Sequence, residues 1–293
     1  MADTVSEMEW YRGYVPLFPY EFDPSDPKNN SKFRELPQFA LQGGDFQFVL
    51  KNAIQCEPEL GLSQIWVAEV RKKGGPEPES SSWGQVVLKL FQASLLRFPQ
   101  PTWQDPFSEY SCPRQLACVE ELVYNSLQDI QGWTIPYFYG KHRLTLPNGE
   151  STRVNVLEYI DGMTLAQLHD MYPTHMTTPL KPKLHHELLE KLKELYVPAM
   201  QGISEINARH IVLCDLEPEN IMIAPEPSLN QVVFIDFGHA FINTPKEVVD
   251  SYRNSLKLAT CIIGCCRRHR ADVTKGAKRC LSADLQVPTS SPL

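Results

Sequence analysis

The 293-residue chain has no run of apolar residues approaching the roughly 18 to 20 that a bilayer span requires, which excludes an ordinary transmembrane helix. It also lacks an excess of positive charge: the formal net charge is -7, so nucleic acid is not expected as a bulk electrostatic partner. The amino-terminal stretch MADTVSEMEWYRGY has neither the basic nor the apolar region of a signal peptide, and a cytoplasmic location is the expectation. Disulfide-framework spacing is missing too. Cys56, Cys112, Cys118, Cys214, Cys261, Cys265, Cys266 and Cys280 are scattered, and reduced, mostly buried thiols are expected. What is present is the composition of an ordinary globular protein, 42% hydrophobic and 22% charged, long enough for one large domain or two lobes.

Residues 1–40 are rich in proline, aromatic and acidic residues, centred on YVPLFPYEFDPSDP, and read as an irregular arm that lays its aromatics on the body. Strand patterns follow at Phe46–Ile54 and Ile65–Val70, with a turn from Cys56 to Gln64 between them. The Arg71–Gly84 segment, containing KKGGPEPESSSWG, reads as a solvated loop. Val86–Phe91 is a third strand whose single charge is Lys89, and a lone lysine in a strand ordinarily lies on the solvated face. After a connection from Phe98 to Pro113, Arg114–Leu127 fits a helix with Leu116, Val119 or Leu122, Val123 and Leu127 on one face and with Glu120 and Glu121 inside it. Either glutamate is a candidate partner for Lys89. Thr152–Tyr159 reads as a strand, and Glu158–Gly162 as a linker between lobes. A short helix capped by Thr164 runs to Met171. The apolar period of Leu184, Leu188, Leu192, Leu195, Ala199, Ile203 and Ile206 predicts a long helix that Pro198 should kink or divide.

The stretch His210–Gly238, HIVLCDLEPENIMIAPEPSLNQVVFIDFG, places Asp215, Asn220 and Asp236 among the short apolar runs Ile211–Leu213, Ile221–Ile223 and Val232–Ile235. A carboxylate or amide beside buried strand is costly to desolvate unless it is hydrogen-bonded or bound to a cation. Phe and Gly after Asp236 suit a sharp turn that aims its carboxylate into a cleft. The set suits phosphoryl transfer, where positioning and charge neutralisation carry the catalysis. One carboxylate can accept a hydroxyl proton, while an amide and a second carboxylate hold magnesium against nucleotide phosphates.

With those residues in view, the chain resembles the protein-kinase-like superfamily over about residues 45–260. Cys214-Asp215-Leu216-Glu217-Pro218-Glu219-Asn220 is similar to the catalytic loop usually written HRDLKPEN, and Asp236-Phe237-Gly238 matches the DFG motif letter for letter. VVLKLF resembles the strand carrying the phosphate-binding lysine. The helix after it resembles the one that carries the lysine's glutamate, where an apolar residue four positions on favours Glu120, followed by Tyr124, over Glu121. The overall look is similar to small fungal kinase-like proteins and, more distantly, to aminoglycoside and choline phosphotransferases.

The resemblance implies an α+β, bilobal protein-kinase-like fold. Residues 41–160 would form a β-sheet N-lobe, mixed in strand direction, with one main helix. Residues 161–270 would form a mostly helical, shortened C-lobe, and residues 271–293 a flexible tail. It implies ATP and Mg2+ as cofactors, Asp215 as catalytic base, Asn220 and Asp236 on the metal, and Lys89 on the phosphates paired with Glu120. Gly61 would belong to the phosphate lid, and the backbone at Glu158 and Ile160 would hold the adenine. The acceptor would be a hydroxyl of a small molecule or a protein. Departures from the pattern are the single glycine of CEPELGLSQ, Leu213 and Cys214 before the base, Glu217 where protein kinases carry lysine, and no APE motif after DFG. They favour a small acceptor over a protein, and keep open a pseudokinase acting as a nucleotide-binding or interaction module. Cys261, Cys265, Cys266 and His269 can be drawn as a zinc set, but helical cysteines read first as small buried hydrophobes. The seven Lys and Arg residues from Lys257 to Arg279 read as a solvated basic tail.

Overall fold

The computed structural model describes residues 8–9, 33–37, 39–40, 46–56, 63–72, 84–95, 113–146, 148–171, 182–224, 231–252 and 254–263. The aromatic centre of the amino-terminal arm, Gly61, Cys265, Cys266, His269 and the tail from 271 onward lie outside them.

Among the described residues, nine strands make two sheets. β1 (Met8–Glu9), β2 (Phe46–Gln55), β3 (Gln64–Lys72), β4 (Gln85–Phe91), β5 (Phe138–Thr145) and β6 (Ser151–Glu158) form a six-stranded sheet in the order β1-β2-β3-β4-β6-β5. Every pair in it is antiparallel, so the sheet is not mixed. Strand β5, FYGKHRLT, is an element the residue pattern did not announce: its four middle residues are polar or glycine, and only its first two are buried.

Strand β4 sits in the middle of this sheet and is covered on both faces. Val86, Leu88 and Leu90 point into a core shared with Phe39, Phe48 and Tyr139, so part of the segment before residue 41 closes that side. The opposite face, with Val87, Lys89 and Phe91, is covered by α1 (Pro113–Ser126), which packs across β4, β5 and β6. The solvated-face expectation for Lys89 therefore fails for a tertiary reason. On α1, Leu116, Ala117, Glu120, Val123 and Tyr124 are buried; Val119 packs against the core, while Leu122 is exposed.

The chain crosses from the sheet at Glu158 to β7 (Met163–Thr164) through Gly162, whose place is set by close approach. A Cβ added there would lie 2.3 Å from the Ile223 carbonyl oxygen. β7, β8 (Ile221–Ala224) and β9 (Gln231–Phe234) form a small antiparallel sheet. Helix α2 (Leu165–Met171) begins with a reciprocal cap: Thr164 Oγ1 accepts from Gln167 N at 3.1 Å and Gln167 Oε1 accepts from Thr164 N at 2.8 Å. Helix α3 (Pro182–Asn207) runs on through Pro198 as one element. Its stripe Leu195, Ala199, Ile203 and Ile206 is buried with Phe234 and Leu258. Two further helices follow, α4 (Lys246–Ser251) and α5 (Asn254–Ile263). No helix among the described residues is long and apolar enough to cross a membrane.

Candidate functional site

Lys89 is 4% exposed and Glu120 is fully buried, and they meet with Nζ 3.0 Å from Oε1. The same ammonium lies 2.7 Å from Asp236 Oδ1, so one cation joins β4, α1 and the segment after β9. Glu120 is held further by Asn155 Nδ2 on its other oxygen at 2.9 Å and by the Phe237 peptide N–H at 3.3 Å. A buried carboxylate with three donors is satisfied, which is the condition for an ion to persist away from water. Burial pulls the Lys89 pKa down, but the charges of Asp236 and Glu120 outweigh it and raise it overall. For Asp236, burial pushes upward, whereas Lys89, the Gly238 peptide N–H and His239 hold the carboxyl below its usual range.

Between the two candidate glutamates the choice is unambiguous, because Glu121 is paired instead with Lys141 of β5. That pair is partly exposed, so Glu121→Ala is expected to cost less than about 1 kcal/mol in chemical denaturation. A loss above about 2 kcal/mol would show that Glu121, too, holds the core.

The turn at Asp236 is made differently from the expectation. Asp236 itself has φ of 62°, and Gly238 has no positive φ. Phe237 is driven into the core, edge-on to Tyr124 at 5.1 Å, and this anchors the backward turn of the carboxylate. Asn243 and His210 also have positive φ, of 53° and 60°. His210 is secured by Thr244, whose N–H donates to the His210 carbonyl at 2.9 Å. Residues 211–213 are not a strand; only Val212 pairs, with Phe241, through two backbone bonds of 2.9 Å.

Asp215 is exposed at the start of the next loop. Pro218–Asn220 forms a 3-10 turn, and Asn220 Nδ2 reaches back to Asp215 O at 2.9 Å and Oδ2 at 3.2 Å. The Ile235 N–H donates to Asn220 O at 3.0 Å, which ties this loop to the residue before Asp236. Lys89, Glu120 and Asp236 thus form one bonded set and Asn220 and Asp215 another, and the Ile235–Asn220 backbone bond ties the two together. Asn220 Oδ1 and Asp236 Oδ2 remain as hard oxygen donors, a set that fits magnesium completed by phosphate and water. Among the described residues no three His, Cys, Asp or Glu side chains converge as a self-sufficient metal cage.

Glu158 and Ile160 are placed at the crossing between the sheet and the helical part. The Glu158 carboxylate takes a fork from Arg34, at 2.6 and 2.8 Å, and the Tyr137 N–H at 2.9 Å. The Ile160 carbonyl accepts from Gly162 N at 2.9 Å, and its side chain packs with Ala224 and Val233. Gly61 lies outside the described residues. Reading by residue type missed Arg34, in a segment taken as irregular, and Asn155. The signal for Asn155 was available: an amide at an inward-facing position of TRVNVLEY, directly opposite Lys89. A cavity of about 580 Å³ between α3, α4 and α5 is lined by none of the candidate residues.

Fold and site together define an α+β protein with a buried lysine bridging two carboxylates beside an exposed Asp–Asn loop. No protein-family model matches the chain, and no curated protein does. Among solved structures it is similar to a crystal structure of a double mutant of the PknI kinase domain from Mycobacterium tuberculosis, at 14% identity, a TM-score of 0.39, and coverage of 65% of this chain. The match spans 58% of that chain.

Proposed function

We propose that the protein is an ATP- and magnesium-dependent phosphotransferase with a two-lobed, protein-kinase-like fold that phosphorylates a hydroxyl acceptor. The observation that carries this reading is the Lys89 ammonium held between Glu120 and Asp236, beside the Asn220–Asp215 pair that the Ile235–Asn220 backbone bond ties to it. Lys89 presents a fixed cation to nucleotide phosphates. Asn220 and Asp236 would hold magnesium, which supplies charge neutralisation at the phosphates when bound. Exposed Asp215 accepts the acceptor's hydroxyl proton as the new O–P bond forms and the bond between the β-γ bridging oxygen and the γ-phosphorus breaks, releasing ADP.

Glu217 supports a second reading. It is an exposed carboxylate two residues after Asp215, where an approaching phosphate would be repelled, and a nucleotide-binding module without turnover follows from it. Thermal denaturation with ATP and Mg2+ tests the first requirement of both readings. A ligand at about 100 times its Kd stabilises the folded state by about 2.7 kcal/mol, so the wild type should melt a few degrees higher and Asp236→Asn should lose the shift. No shift at millimolar nucleotide would overturn nucleotide binding. A shift without ATP consumption across panels of metabolites and proteins would favour the module.

A further inference from the structure

Three side chains of α5 grip the loop that carries Asp215, and they stand at i, i+3 and i+7, on one face of the helix. Asn254 is 2% exposed and faces the Leu213 peptide; with its amide oxygen towards the N–H it accepts at 3.2 Å and donates to the Leu213 carbonyl at 3.1 Å. Lys257 Nζ donates to the Cys214 carbonyl at 2.7 Å. Cys261, fully buried, places Sγ 3.4 Å from the Leu216 carbonyl. The peptides on both sides of Asp215 are therefore held from a single helix. Tyr252, just before α5, adds a hydrogen bond to the Cys214 side chain, and this bond, with burial, pushes its pKa up to about 12.

Of the three, Lys257 is the charged one. Residues Cys214 to Asn220 contain three carboxylates and no cation. An ammonium on a carbonyl makes a charge-assisted hydrogen bond, stronger than a neutral one. The Cys214 carbonyl immediately precedes the residue whose carboxylate must meet the acceptor hydroxyl.

We propose that Lys257 is a positioning residue for Asp215: by holding the Cys214 carbonyl it fixes the backbone from which the Asp215 carboxylate reaches the acceptor. The inference rests on the phosphotransfer reading for its kinetic consequence and on geometry alone for its mechanical one. A misplacement of about 1 Å can cost about a hundredfold in rate, so Lys257→Met should lower kcat by about 10- to 100-fold. Lys89, Asn220 and Asp236 are not held by Lys257, so KM and Kd for MgATP should stay within about twofold of wild type.

The experiment compares wild type, Lys257→Met, Lys257→Gln and Lys257→Arg by ATP turnover, MgATP calorimetry and amide hydrogen exchange over residues 213–217. The expected result is a kcat loss in the Met variant, a smaller loss in Gln, which keeps a donor without the charge, near-complete recovery in Arg, and faster loop exchange in Met. Turnover and exchange unchanged in the Met variant would overturn the proposal. So would MgATP affinity falling in step with kcat, or Arg as impaired as Met. If the wild type consumes no ATP, the phosphotransfer reading fails separately. Exchange over 213–217 then decides the clamp: faster exchange in the Met variant upholds it, and unchanged protection overturns it.

Discussion

Lys89→Met is expected to lose about 3–5 kcal/mol of stability together with MgATP binding, because removing one partner of a buried ion pair strands the other. Glu120 is fully buried and would keep only Asn155 and the Phe237 N–H as donors. The half-buried Asp236 would lose the cation that keeps its carboxyl ionised. Denaturant titration at constant m-value measures the loss, and a change under about 1 kcal/mol would sink this account. Lys89→Met combined with Glu120→Gln should recover part of it, since the stranded charge is removed with the amide's shape retained.

The pH dependence of the wild-type bridge follows from the two shifts. Asp236 titrates below the usual carboxylate value of about 4, so its contribution is complete above that value and is lost as pH falls through the lowered one. Lys89 titrates above the usual lysine value of about 10.4, so its contribution is complete below that value and is lost only as pH rises through the raised one. The bridge's contribution should therefore be flat from about pH 6 to 9 and decline in acid.

Arg34→Ala is the second large effect, again about 3–5 kcal/mol, and it strikes the crossing between the sheet and the helical part. Besides the fork to Glu158, Arg34 donates to Trp133 O and Ile135 O, each at 2.9 Å. Its peptide N–H donates to Gly132 O at 2.8 Å, and the Tyr137 hydroxyl donates to its carbonyl at 3.0 Å. Gln231, at the start of β9, also donates to Trp133 O, at 2.8 Å. One arginine thus ties the amino-terminal segment to residues 132–137 and to the start of the linker. Arg34→Lys retains the charge but not the planar fork and should recover less than half of the loss. If Arg34→Ala denatures within about 1 kcal/mol of wild type, the segment before residue 41 is dispensable to the linker.

How legible the protein was depends on the range of the interaction concerned. Thr164 and Gln167 are three residues apart, and their cap follows from local chemistry. The strands at β2, β3, β4 and β6 and the helix α1 follow from period and burial. Strand β5 was not legible, because an edge strand with one solvated face can carry KHR without penalty. Asp236 was expected to sit at a sharp turn suited by the Phe and Gly that follow it. It adopts the positive φ itself, because burial of Phe237 against Tyr124 leaves the aspartate to make the reversal.

The order and spacing of Asp215, Asn220 and Asp236 are properties of the sequence alone, and so is the apolar period that makes α1 a helix with Leu116 and Val123 on its inner face. These depend on residues within one element or one loop. Only the tertiary structure decided that Lys89 is buried, that Glu120 takes it while Glu121 goes to Lys141, that Arg34 reaches Glu158 and that Lys257 holds Cys214. In each of these an ion is matched to a partner 31, 20, 124 or 43 positions away in the chain. A charge carries no local mark of its partner. Burial forces it to have one, and which one it has is settled by the surfaces that packing brings together.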